Sequence, residues 1–544
     1  MNGFSPAGLG ALVLLAAWAL GTPAQAQSQM PVVSDPAVVM TQDGAVRGVV
    51  ADGVRAFKGI PYAKPPTGAR RFAVPEPAEP WSGVRDATRY GSACPQLERY
   101  GIPESSSDED CLFVNVTVPH RAGETAAAPR PVLVWIHGGA FVGGSSGLYP
   151  LDALAKEGDL VVVSLNYRLG AFGFTAHPAF DADYNGGYGL MDQRAALAWV
   201  KRNIAGFGGD PGNVTVAGES AGAGSVCMHL LAPDETTGLF ERAIVLSAGC
   251  ASVLPSVAEG EKIGVAIAAK VGCADPASAL ACLRAKPVDD LLKAAADIAG
   301  ANILTFTPLI GAKTVPLPGA EAFPAGTFVK VPVMNGGTRD EQRLYVGYAA
   351  LAGEAVTAAN YAEKISEVYH AKAGAVLGKY PATYSSSPPA TLGTVWSDFR
   401  RDVGINNCAY LEAGKLMGAF VPVYEFVFAD SEAPPVTPTD PGFEMGAVHS
   451  SELPYLFPHF DNTMKRAGPD LKPASQKLAD LMIAYWASFA RSGVPSVPAG
   501  PVWEPFLADD RVMNLEPGRV GLFDASAAHH CAFWKSLYPA DLTR

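Results

Sequence analysis

Short runs of consecutive apolar residues alternate with segments whose apolar positions recur at helical spacing through the first half of the chain. Val132-Leu133-Val134-Trp135-Ile136, Leu160 to Leu165, Val214-Thr215-Val216-Ala217 and Ala243-Ile244-Val245-Leu246 lack the in–out alternation of a half-exposed strand. A strand that is apolar along its length is buried on both faces, the condition of a parallel sheet covered by helices. Between these runs, Ala195, Leu197, Ala198, Val200 and Ile204 predict a helix within Asp192 to Phe207, and a second helix is predicted from Ala221 to about Leu231. Val331-Pro332-Val333-Met334 and Val421 to Phe428 read as later strands of the same sheet. Ala474 to Arg491 reads as a helix packing through Leu478, Leu481, Met482, Tyr485, Trp486 and Phe489. The pattern predicts an α/β fold with a mostly parallel sheet flanked by helices. No repeat or linker interrupts it. The proline-rich stretch Asp430 to Gly442 is read as a surface loop near the site, so one domain over residues 27–544 is expected.

The N-terminus changes where the chain should reside. Leu9 to Leu20 is an apolar run, followed by Ala24-Gln25-Ala26, a small-x-small cleavage pattern. Residues 1–26 are therefore expected to be a signal peptide, with an uncleaved membrane anchor as the competing reading. The run is short for a membrane span, and no later segment has 18 uninterrupted apolar residues. A secreted or periplasmic protein without a stable membrane span after cleavage is expected. The formal net charge of −12 and the absence of Lys/Arg runs argue against a nucleic-acid partner. The eight cysteines form no CxxC pair, which disfavours a zinc ribbon, and an even count in an oxidising compartment favours disulfides. Spacing alone does not give their connectivity.

Candidate chemistry centres on Gly218-Glu219-Ser220-Ala221-Gly222, a G-x-S-x-G pattern. The pattern occurs twice, the second time at Gly143 to Gly147 around Ser145. Ser220 follows a predicted strand and opens a predicted helix, the strand–turn–helix setting of an α/β-hydrolase nucleophile. Ser145 follows no strand and reads as a loop residue. An oxyanion needs backbone donors, and His137-Gly138-Gly139-Ala140 directly follows the strand ending at Ile136. The N–H groups of Gly138, Gly139 and Ala221 are the expected donors.

A serine nucleophile needs a base and an acid, in the chain order Ser, Asp or Glu, His for this fold. His449 follows a long loop, as a loop-presented base should; His459 competes with it on local pattern. His229 lies on the nucleophile's own helix and is expected in packing. The acid should follow a strand end, where Asp340 and Glu341 stand side by side. Local reasoning does not choose between them.

Taken together these residues resemble the type-B carboxylesterase/cholinesterase family. The similarity runs along nearly the whole mature chain through Phe57 to Ala63, Glu109-Asp110-Cys111-Leu112, Asn166-Tyr167-Arg168, Phe207 to Pro211 and Gly218 to Gly222. The resemblance implies an α/β-hydrolase fold and a Ser220–His449–Glu341 triad. Gln342 stands where the family's Asp-Glu-Gly motif has its glycine, and Ser450 where its Gly-x-x-His-Gly-x-Glu-Leu segment has its second glycine. It implies disulfides Cys94–Cys111, Cys273–Cys282 and Cys408–Cys531, and leaves Cys227 and Cys250 open between two buried free thiols, the favoured reading, and a fourth bridge. It also implies a structural Arg168–Asp192 ion pair and a buried Glu219 carboxylate behind the nucleophile. No tryptophan lies between Cys94 and Cys111, where Tyr100 is the aromatic residue, so acetylcholine hydrolysis is not expected. The stretch Asn302 to Phe306 stands for the family's acyl-pocket aromatics and implies a roomier pocket. The expected activity is hydrolysis of a small-molecule carboxylic ester through an acyl-enzyme, with no metal or other cofactor. Amide hydrolysis by the same triad and a non-catalytic adhesion role on the same fold are the alternatives.

Overall fold

The computed structural model describes residues 35–98, 102, 104–121, 128–460, 468–498, 500–506 and 510–539. The expected signal peptide and Tyr100 lie outside the described residues. The described residues from Pro36 onward cluster as one compact unit.

The strands of the main sheet are β1 (Val49–Ala51), β2 (Val54–Pro61), β3 (Phe113–Pro119), β4 (Arg130–Ile136), β5 (Val161–Leu165) and β6 (Gly209–Glu219). They continue with β7 (Arg242–Leu246), β8 (Val333–Thr338), β9 (Val423–Phe428), β10 (Arg511–Leu515) and β11 (Gly521–Asp524). Among the described residues they form an eleven-stranded sheet in the order β11-β10-β9-β8-β7-β6-β4-β5-β3-β2-β1. Every pair from β10 across to β5 is parallel; the two flanks are antiparallel. A smaller three-stranded sheet stands beside it.

The apolar runs are divided between two cores by the two-residue period of a strand. Val132, Val134 and Ile136 of β4 face one core, together with Val161, Val163, Val216 and Val245. Leu133 and Trp135 face the other, with Val162, Ala217, Ile244 and Leu246. Helix α1 (Tyr188–Asn203) and helix α2 (Ala221–Leu230) cover the first face through Leu197, Trp199, Val226 and Leu230. A later 20-residue helix, Pro473–Ser492, covers the second through Leu478, Met482, Trp486 and Phe489. No helix among the described residues is long and apolar enough to cross a membrane.

The boundaries shift for local reasons. The strand expected from Val421 begins at Val423, after Pro422, which has no N–H to give to a ladder. The helix expected within Asp192 to Phe207 begins earlier, at Tyr188, and ends at Asn203, where it tightens into a 3-10 turn, Ile204–Phe207. The proline-rich loop after β9 is less exposed than expected: Asp430, Val436 and Thr437 are buried, and Asp430 accepts hydrogen bonds from Tyr455 and Ser475.

Disulfides join Cys94–Cys111, Cys273–Cys282 and Cys408–Cys531, as the resemblance implied. Of the two readings for the remaining pair, the favoured one of free thiols is corrected and the other holds: Cys227 and Cys250 form a fourth disulfide with a Cα separation of 5.0 Å. The physical reason is the crossover. Helix α2 runs back from the end of β6 and the chain returns along the neighbouring β7, so the segment after Leu246 passes beside Cys227.

Candidate active site

Ligand sites of open parallel sheets lie outside the carboxyl ends of the strands, and four such ends converge here. Ser220 is the single residue between β6 and α2. Its backbone, φ 57° and ψ −122°, lies in a sparsely populated region for a residue with a Cβ. Such a conformation costs on the order of 1–3 kcal/mol and persists only where surrounding structure over-determines it. Here the Ser220 N–H donates to the Leu246 carbonyl at 2.9 Å, and the Gly224 N–H donates to the Ser220 carbonyl at 2.8 Å. The flanking glycine is a steric requirement: a Cβ at Gly222 would lie 2.0 Å from the Ile136 carbonyl oxygen. Ser145, the second serine in the same pentapeptide pattern, is buried in extended backbone ahead of a 3-10 turn and sits on no such elbow.

His449 follows the loop after β9 and is 4% exposed. Its Nε2 lies 2.9 Å from Ser220 Oγ and its Nδ1 2.6 Å from Glu341 Oε2. Glu341, fully buried, also accepts at Oε1 from the Thr338 N–H at 2.8 Å and the Tyr410 hydroxyl at 3.1 Å. Burial alone would raise Glu341, but the imidazole and these donors outweigh it and hold the carboxyl below its ordinary value. Burial alone would lower His449. The carboxylates of Glu219 and Glu341 reverse that and push it up to about 9. In the neutral imidazole, an ionised Glu341 favours the Nδ1–H tautomer, which leaves the Nε2 lone pair facing the serine hydroxyl.

The open choices separate cleanly. Asp340 does not reach the imidazole. It pairs with Arg343 at 3.3 Å and Arg339 at 2.9 Å, and it accepts from the Ala447 N–H at 3.0 Å, so it anchors the histidine loop. His459 has a side chain 54% exposed and bonds the Gly468 carbonyl. His229 is buried against α1, with Nε2 2.8 Å from Gln193 Oε1. Arg168 and Asp192 form the expected buried ion pair, with Nε–Oδ2 and Nη2–Oδ1 both at 2.7 Å.

Backbone donors line the other side of Ser220. Gly138 must be glycine for close approach, because a Cβ there would lie 3.2 Å from the Ser220 Cβ and 2.8 Å from Glu219 Oε2. Its N–H, expected to be a free donor, instead points to the Tyr149 hydroxyl at 3.3 Å. Among the described residues, the N–H groups of Gly139, Ala140 and Ala221 donate to no protein acceptor. Ala140 was not singled out from the sequence; its signal there is its place directly after the glycine pair. A cavity of about 590 Å³ opens onto this side, lined by Ala140, Phe141, Ser220, Met228, Ile303 and Leu304 among others. Asn302, Ile303 and Leu304, of the stretch expected to leave the pocket roomy, form part of its wall.

Three further acids complete the electrostatics. Glu219 is 2% exposed, lies 3.3 Å from His449 Nε2 through Oε1, and accepts from the Ser450 hydroxyl at 2.6 Å. Burial raises it above the ordinary carboxylate value, against the pull of His449 and Ser450. Glu452 is fully buried, no side chain or backbone group among the described residues bonds either of its oxygens, and burial pushes it well above that value. A carboxyl so placed is held in its neutral form. Asp340 is the third, paired with Arg339 and Arg343.

A mostly parallel sheet carrying a serine on a strained strand-to-helix turn, with backbone donors from the loop of a neighbouring strand, defines an α/β-hydrolase. The chain belongs to the carboxylesterase family, whose model matches residues 35–534. It is 36% identical over 484 residues to para-nitrobenzyl esterase of Bacillus subtilis, covering 85% of this chain and 91% of that protein. It is 33% identical to fumonisin B1 esterase of Sphingopyxis macrogoltabida, covering 88% of this chain and 87% of that protein. The solved structure of a thermophilic PNB esterase superposes with a TM-score of 0.76 at 32% identity, covering 92% of this chain and all of that one. The protein is a carboxylic-ester hydrolase.

Proposed function

We propose that this chain is an exported serine carboxylesterase working through Ser220, His449 and Glu341. The observation that carries the reading is the unbroken chain of contacts from Glu341 to His449 at 2.6 Å and from His449 to Ser220 at 2.9 Å, at the edge of the cavity. His449 Nε2 takes the Ser220 proton as Oγ attacks the ester carbonyl. The carbonyl oxygen becomes an oxyanion held by the free N–H groups of Gly139, Ala140 and Ala221. Each such donor is worth about 10²–10³ in kcat. The protonated imidazole then gives its proton to the leaving alcohol, and the C–O bond breaks to leave an acyl-enzyme. Water, deprotonated by the same nitrogen, attacks the acyl carbonyl and releases the acid. Glu341 orients the imidazole and stabilises its charged form without taking the proton.

Export rests on the leader-like residues 1–26 and on the four disulfides, which persist in oxidising compartments. The substrate is a small-molecule ester whose acyl or alcohol group fills the largely apolar cavity. The test is Ser220→Ala, assayed with p-nitrophenyl esters of graded acyl length and with a fluorophosphonate probe. Loss of turnover and of labelling, with unchanged circular dichroism, is expected. Undiminished turnover by that variant refutes the mechanism.

A further inference from the structure

Position 450 departs from the family's histidine segment, which places glycine directly after the base. The backbone there is left-handed, with φ 68°. Glycine occupies that region without cost, whereas a Cβ in it is strained. This chain nonetheless carries a serine, 6% exposed, and its hydroxyl donates to Glu219 Oε1 at 2.6 Å. Glu219 directly precedes Ser220, and Ser450 directly follows His449. One hydrogen bond therefore ties the turn bearing the base to the turn bearing the nucleophile. The same Glu219 oxygen is 3.3 Å from His449 Nε2.

We propose that Ser450 is a positioning residue: by donating to Glu219 it holds that carboxylate ionised and in place beside the imidazole, where it stabilises the charged histidine formed when Ser220 gives up its proton. The proposal rests on the triad described above. The charged and titratable groups facing Glu219 and His449 come from each packed element. They are Glu341 and Tyr345 after β8, Glu452 on the histidine turn itself, and Tyr149 ahead of β5. Glu219 is the member of this set that Ser450 touches. Acids in one buried volume disfavour each other's ionisation, and beside a Glu341 ionised by its own donors the short charge-assisted bond from Ser450 favours the charged form of Glu219.

The direction of the effect follows. The acid limb of kcat/KM reports deprotonation of the free enzyme's base. Without the hydroxyl, Glu219 binds a proton more readily, the imidazolium is less stabilised, and His449 loses its proton at lower pH. Ser450→Gly removes the hydroxyl and the backbone strain together; Ser450→Ala removes the hydroxyl and keeps the Cβ. Both are expected to move the acid limb down by about one pH unit, the scale of one lost hydrogen bond to a charged group. They are also expected to lower kcat on p-nitrophenyl butyrate about 5- to 10-fold, with KM little changed. In a Glu219→Gln background, Ser450→Gly should move the limb no further. An unmoved limb in both variants overturns the proposal, as does an equal shift in the Glu219→Gln background or loss of fold in both. Failure of the underlying triad gives a different result: Ser220→Ala retains turnover.

Discussion

The double substitution Cys408→Ala/Cys531→Ala cuts the bond that closes the longest loop, with a sequence separation of 123. Loop-closure entropy for that length is about −16 cal/mol/K, or about 4.9 kcal/mol at 25 °C. The bond Cys273–Cys282, with a separation of 9, is worth about 2.6 kcal/mol on the same model. Unfolding entropy of about 2.1 cal/mol/K per residue, over residues 36–544, gives about 1.1 kcal/mol per degree. The long-loop variant should therefore melt about 4–5 °C below the wild type and the Cys273→Ala/Cys282→Ala variant about 2–3 °C below it. Packing adds to the same ordering, because Cys408 and Cys531 are both buried whereas Cys282 is half-buried. Scanning calorimetry of the oxidised proteins at one scan rate measures the difference. The bond also bears on the site: Cys408 lies in the helix Asn407–Gly418, whose Asn407 donates to the Thr338 and Arg339 carbonyls and whose Tyr410 donates to Glu341. Esterase activity should be lost at lower temperature in the same variant. If the short-loop variant melts at or below the long-loop variant, loop entropy is not what these bonds contribute.

Arg168→Ala leaves the fully buried Asp192 carboxylate without its cation, which should cost about 3–5 kcal/mol by urea unfolding; a loss under about 1 kcal/mol would deny the pair a structural role. Gly222→Ala puts a methyl group 2.0 Å from the Ile136 carbonyl, so the elbow must shift and kcat/KM should fall about 100-fold while binding to a non-reacting product acid persists; near-normal turnover would refute the steric argument. The acid limb of the wild-type kcat/KM should lie above the ordinary histidine value of 6.5, because Glu219 and Glu341 outweigh burial in raising His449. Activity is then lost as pH falls through that raised value, since the protonated base cannot accept the serine proton. A midpoint at or below 6.5 in a pH series would mean that Glu219 is neutral beside the imidazole.

What was legible in the sequence was what short-range physics decides. Buried parallel strands must be apolar on both faces, so Val132 to Ile136 announced a central strand before its two cores were known. The elbow at Ser220 was legible because its sterics are local: small residues flank a residue forced into a strained conformation between a strand and a helix. The features that escaped depend on which distant group arrives. Asp340 and Glu341 are chemically near-equivalent neighbours, and only the arrival of Ala447 at one and of His449 at the other gives them different work. Gly138 and Ala140 differ as donors because Tyr149, from a later turn, takes the N–H of the first. Cys227 meets Cys250 because parallel neighbours β6 and β7 bring a helix and a loop together across a separation of 23 residues. Ser450 belongs to the same class. A serine in place of a glycine looks like a backbone penalty when only the chain is read. Its partner Glu219 is 231 residues away, and it is that partner which turns the penalty into a link between the base and the nucleophile.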